Sequence, residues 1–169
     1  MRSINLNVFH QIEISRQVRF NVLTTTLEKI YNGETAQKKA KIFQKFIDSF
    51  NSFRTEFIKD NGSDRNASFY PILRLILPKS DNERDSYGMR TTTLGKYFVK
   101  GLAIPENSAD AKKLTAQQGM TSRCKDYAEI VFEVMKGRSP EMGSLDVFKV
   151  NQYLDMIASH YKNNERKSV

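Results

Sequence analysis

Apolar residues recur along this chain at steps of three and four, the period of helices that bury one side. Phe20, Leu23, Leu27 and Ile30 form the first such row, and Asn32-Gly33 supplies the stop that commonly ends a helix. Phe43, Phe46, Phe50, Phe53 and Phe57 alternate the same steps with Ile47 beside them, which predicts a helix of roughly 25 residues. Residues 59–65 (KDNGSDR) break it. Ser68 can then cap a short apolar helix through Ile72, Leu73, Ile76 and Leu77. Pro71 falls in its first turn, where the missing N–H costs little, and Pro78 ends it.

Past the charged stretch 79–85, Leu94, Tyr97, Phe98 and Leu102 mark a fourth helix that stops before Pro105. Asn107-Ser108 opens a fifth toward Leu114, residues 115–123 read as a loop, and Tyr127, Ile130, Val131 and Val134 mark a sixth. Residues 137–143, with Pro140 among them, form a connector. Ser144 is the expected N-cap of a last helix bearing Val147, Val150, Leu154, Ile157 and Tyr161. About seven helices joined by short loops predict an all-α fold, an irregular multi-helix bundle. Residues 1–17 lack a clean period and read as an irregular N-terminal arm, 18–162 as one helical domain, and 163–169 as a polar tail. Phe43, Phe50, Leu73, Leu77, Leu94 and Leu154 lie on apolar stripes and are the expected core.

Composition narrows the function more than the fold. Of 169 residues 39% are apolar, with 11 Phe and 7 Tyr, enough for a core. Lys plus Arg outnumber Asp plus Glu by 27 to 19, a net +8 that draws polyanions such as nucleic acid. Cys124 is the single cysteine and excludes an internal disulfide, which favours a reducing compartment. No apolar run reaches the ~18 residues of a membrane span, and MRSINLNVFHQIEI lacks the apolar stretch of a signal peptide.

Catalytic constellations are not expected. Two histidines, His10 and His160, with one distant cysteine are a poor start for a zinc site, so no metal is foreseen. No glycine-rich phosphate cradle occurs, and Lys59-Asp60-Asn61-Gly62 lacks the Asp-Gly adjacency of a nucleotidyl-transfer lysine. Glu83 and Asp85 flank Arg84 and read as solvated or ion-paired. On the second helix Lys38, Lys41, Lys45 and Lys59 project away from the phenylalanines. That row fits either a solvated face or a track for phosphates.

Residues 69–90, FYPILRLILPKSDNERDSYGMR, carry a more specific signal. They resemble the FYPxxRLxLPxxDxERxxYG block of the eukaryotic DNA ligase IV family, through Phe69, Tyr70, Pro71, Arg74, Leu75, Leu77, Pro78, Asp81, Glu83, Arg84, Tyr87 and Gly88. Leu27-Glu28-Lys29-Ile30 is similar to the family's LERI, FQKFIDSFNSF at 43–53 to its FxxFLDSWxxF, and GSLDVFKVNQYLDMIA at 143–158 to its GSLTxxxVNxLLDxIA. Arg90-Thr91 departs from the Lys-Glu common there, and Lys125 stands where the family has Gly.

The resemblance covers 18–158 and implies the first part of an N-terminal, all-helical DNA-binding domain, which grips the sugar-phosphate backbone of duplex DNA without reading sequence. The parent enzymes seal double-strand breaks by non-homologous end joining in the nucleus. They use ATP and magnesium at a KxDG lysine, which the resemblance puts beyond Val169 together with an OB-fold and BRCT repeats. This segment would then hold no cofactor, no small-molecule substrate and no catalysis of its own. Its implied DNA contacts are Lys38, Lys41, Lys45, Arg74, Arg84, Arg90, Lys96 and Lys100. The resemblance also implies a protein partner, the Artemis nuclease, whose peptide would dock in an apolar groove at Phe46, Phe50 and Phe53. Periodicity alone reads those three phenylalanines as core; an exposed part of the stripe would be a groove.

Overall fold

Thr35 accepts the Lys38 backbone N–H at 3.2 Å and so opens the longest helix, Ala36–Asn61, which Gly62 closes at φ +67°. That left-handed turn is open to glycine without the clash a Cβ brings. The computed structural model describes residues 13–84, 87–116, 126–138 and 143–167, with side chains through Tyr161. Among them are α1 (Phe20–Tyr31), α2 (Ala36–Asn61), α3 (Tyr70–Ile76), α4 (Thr91–Gly101), α5 (Ala109–Thr115), α6 (Tyr127–Met135) and α7 (Val147–Lys167). Three 3-10 turns, Ile14–Arg16, Pro78–Ser80 and Asn82–Arg84, complete the regular structure, and no strand occurs among the described residues. The fold is all-α, as the periodicity predicts.

Two cores stand where one was expected. The described residues within 1–85 and 143–159 make a first compact unit, and those within 86–142 and 160–169 a second. In the first, Ile14, Leu23, Phe50, Phe57, Ala67, Ile72 and Val147 are buried together. Ile14 is only 1% exposed although it lies in the stretch read as an irregular arm. The Ile14 N–H donates to the Asn66 carbonyl, which fastens the 3-10 turn onto the loop after α2. Phe20 N–H donates to Leu145 and Val147 N–H to Val18, so α1 and α7 begin from one paired stretch. This pairing moves the start of α7 past the expected Ser144: Asp146 Oδ1 caps it by accepting the Lys149 N–H at 2.6 Å. α7 then runs on to Lys167, into the stretch read as a polar tail.

Burial on α3 differs from the expected core. Leu73 and Leu77 are 38% and 49% exposed, while Ile72 is buried with Leu75 and Ile76 packed beside it. α3 is apolar around most of its circumference, so periodicity could not choose its inner face; contact with the phenylalanine core of α2 does. Leu73 and Leu77, with Tyr70, leave an apolar strip open. Phe50 is buried as expected, whereas Phe43, Leu94 and Leu154 are half-buried.

The second unit is smaller and packed by close approach. Val99, Ile104, Ala111, Leu114 and Val134 form its core. Ser108 caps α5 and Asp126 caps α6 through their side-chain oxygens. A Cβ on Gly95 would sit 2.0 Å from the Leu114 carbonyl oxygen, so only glycine lets α4 lie this near α5. Tyr127 donates its hydroxyl to that same oxygen at 3.2 Å, and burial pushes the phenol's pKa up. The loop read at 115–123 overlaps residues 117–125, which with Cys124, His10 and most of the connector at 137–143 lie outside the described residues.

Candidate nucleic-acid interface

Six residues of the first unit build an ion-pair network around two arginines. Arg74, on α3, reaches Asp81 at 2.8 Å, Glu83 at 3.1 Å and Asp155 on α7 at 2.8 Å. Arg84, from the last 3-10 turn, donates to Asp155 at 2.7 Å and to the Asn151 side-chain oxygen at 2.6 Å. Asn151 in turn donates to the Pro71 carbonyl at 2.9 Å, so α7 is bonded to the first turn of α3. The Pro78–Ser80 and Asn82–Arg84 turns explain the geometry: they fold the charged stretch back on itself, and Asp81 accepts the Glu83 N–H at 3.1 Å.

Burial pushes the Asp81 carboxyl up, but the hydrogen bonds from Arg74 and the Glu83 N–H and the charge of both arginines together hold it below the ordinary carboxylate range. Asp155 follows the same logic: burial raises it, while bonds and charge from Arg84 and Arg74 lower it further. Arg74 loses by burial and gains more from Asp81 and Asp155, so its pKa rises. The two guanidinium charges are matched by two aspartates before Glu83 is counted. Such a cluster offers phosphates no net attraction, and the side chains of Arg74 and Arg84 are only 10% and 3% exposed. Arg84 is thus buried and Arg74 half-buried, and both guanidinium groups, expected as DNA contacts, are engaged by carboxylates of the protein itself.

The other basic candidates face solvent. Lys41 and Lys45 on α2 are exposed and make no ion pair among the described residues, and Lys38 is exposed but paired with Glu34. In the second unit Arg90, Lys96 and Lys100 are exposed along α4. Phe50 is buried with its ring edge-on to Phe69, centroids 4.9 Å apart, and Phe46 meets the same ring at 6.3 Å. With Phe53 half-buried against the same cluster, these three side chains form the wall of the first core. Asn151 and Asp155 escaped sequence reasoning, although two polar residues four apart beside the apolar stripe of α7 were a usable signal. No group of three or more His, Cys, Asp or Glu poised for a metal exists among the described residues.

Comparison with known proteins decides the family. The model of the DNA ligase N terminus matches residues 19–169. This chain belongs to the DNA ligase N-terminal family. DNA ligase 4 of Gallus gallus is 37% identical over 158 residues, 92% of this chain and 17% of that protein. DNA ligase 4 of Homo sapiens is 37% identical over 157 residues, 91% of this chain and 17% of that protein. In Yarrowia lipolytica the DNA ligase 4 match is 35% identical over 107 residues, 62% of this chain and 11% of that protein. The chain thus spans about a sixth of the length of its first relatives. Within this ligase segment, the 69–90 block is a structural knot: its Arg74, Asp81, Glu83 and Arg84 bond to each other and to α7.

Proposed function

We propose that this chain is the DNA-binding segment of an ATP-dependent DNA ligase that seals double-strand breaks by non-homologous end joining in the nucleus. The observation that carries this reading is the match to the DNA ligase N terminus over residues 19–169. A net +8 supports it, as do the exposed Lys41, Lys45, Arg90, Lys96 and Lys100. Contact would run to the sugar-phosphate backbone, since lysines on helix surfaces neutralise phosphates without reading base edges. ATP and magnesium would act at an adenylation lysine elsewhere in the enzyme, because this chain carries no Lys-x-Asp-Gly. Its role is then to hold the duplex, not to transform it.

Fluorescence anisotropy on nicked and intact duplexes at two salt concentrations tests the reading. Backbone contact predicts a Kd of about 10⁻⁴–10⁻⁶ M at physiological salt, independent of sequence and weakening steeply as salt rises. No binding at low salt, or nanomolar binding to one sequence, would overturn it.

A further inference from the structure

Resting on that DNA-binding reading, we infer that the phosphate-contact surface is the outer face of α4, formed by Thr93, Lys96, Tyr97 and Lys100, and that the α2 lysines lie outside it. These four residues are exposed at steps of three and four, while Gly95 and Val99 on the opposite side are buried. They therefore form one straight stripe about 10 Å long, from 1.5 Å of rise per residue. Each of the four side chains carries a hydrogen that can be donated: a hydroxyl, two ammonium groups and a phenol. Lysine, threonine and tyrosine are among the side chains that commonly bond phosphate oxygens. No carboxylate occurs anywhere in Thr91–Gly101.

The neighbouring helix strengthens the field. α5, packed against α4, adds the exposed Lys112 and Lys113, and its one acid, Asp110, is held by Arg138 at 2.7 Å. The other acids of this unit whose side chains are described are Glu106 in the loop before α5, the α6 cap Asp126, and Glu129 and Glu133 on α6. α4 thus carries lysines and no carboxylate, the exposed lysines of α5 accompany one paired aspartate, and α6 with its cap carries carboxylates and no lysine. Tyr97 fits the same use, for the residue is 60% exposed between two lysines. A nucleic-acid backbone would cover it and give its hydroxyl an acceptor.

α2 presents the opposite pattern. Lys38 is engaged by Glu34, Asp48 lies three residues beyond Lys45, and Glu56 and Asp60 flank Lys59. A phosphate strand laid along that face would meet carboxylates on nearly every other turn, at a repulsion comparable to the attraction gained. The glycine contact at Gly95 also fixes the α4 stripe on a helix pair that cannot separate without opening its core.

The full 169-residue chain separates the possibilities when titrated with a nicked duplex oligonucleotide across a salt series. Three proteins are compared: the unaltered chain, Lys96→Gln/Lys100→Gln and Lys41→Gln/Lys45→Gln. All four lysines are exposed, so circular dichroism of the variants should match the parent. For Lys96→Gln/Lys100→Gln the slope of log K against log salt should flatten by about 2, since each lysine neutralises one phosphate. The α2 variant should overlay the unaltered chain. A flattened slope in the α2 variant, alone or equally with the α4 variant, overturns the placement while leaving DNA binding intact. Absence of binding by the unaltered chain at low salt overturns the DNA-binding reading itself, and this placement with it.

Discussion

Arg84 in the first unit and Arg138 in the second each hold an aspartate oxygen at 2.7 Å, yet the two pairs do different things. The Arg84 side chain is 3% exposed, and its guanidinium bonds Asp155 and Asn151 while facing Asp81; Arg138 is 42% exposed and meets one aspartate. A buried cation left without partners carries a desolvation cost that an exposed one never meets. The first unit therefore depends on a polar knot that ties together parts of the chain far apart in sequence, Arg84 with Asp155 and Pro71 with Asn151. The second depends on apolar contact among successive helices, with Gly95 setting their separation. Equal distances do not mean equal energies; the surroundings decide.

Truncating the buried arginine tests this contrast most severely. Arg84→Ala leaves the Asn151 side-chain oxygen without its donor and removes one of the two cations beside Asp81 and Asp155, and should cost about 3 kcal/mol. Amide exchange should show α3 and the first turns of α7 losing protection while α5 keeps its own. Equal loss in both units would break the comparison.

Acid gives a milder version of the same experiment. Asp81 and Asp155 sit below their ordinary values, so their contribution is complete above the unfolded carboxylate value of about 3.9 and shrinks as pH falls through the depressed folded values. Exchange protection, corrected for intrinsic rates, should fall on α3 and α7 as pH drops below about 4 in the unaltered chain. In Arg84→Ala the same decline should be shallower, because one of the two charges that depress both carboxylates is gone. An undiminished decline would assign the acid response to other groups. The smallest effect belongs to Arg138→Ala, which should cost about 1 kcal/mol or less, since an exposed pair is screened by water and salt. A melting point lowered as far as in Arg84→Ala would show that burial is not what separates the two pairs.

The helices were legible in the sequence because their apolar residues repeat at helical spacing, and this held for the five-phenylalanine row of α2 as for the tyrosine-led row of α6. What was not legible follows from two physical limits. Periodicity assigns a face only where one side is polar, and α3 has too little polar surface to show which side turns inward, hence the reversal at Leu73 and Leu77. Charge says nothing about pairing across the fold: Arg74 and Arg84 read as available cations until α7 brings Asp155 to them from 81 and 71 residues away. The family itself was legible from the 69–90 block, and its fixed spacing now has a cause. Arg74, Asp81 and Arg84 must keep their places along the chain to meet one another.

The knot also imposes an order in time. During synthesis the chain emerges from its N-terminus at about 5–20 residues per second, so the 71 residues from Arg84 to Asp155 take roughly 4–14 seconds to appear. For most of that interval Arg84 lacks Asn151 as well as Asp155, and the core around Phe50 lacks Val147. α4, α5 and α6 follow one another within 91–135 and have all their core partners first. The core that begins synthesis earliest is thus the later of the two to receive all its buried apolar partners, and a nascent chain stalled before Val147 exposes an arginine without Asp155 and an unfinished phenylalanine core to whatever chaperone or protease waits outside the ribosome.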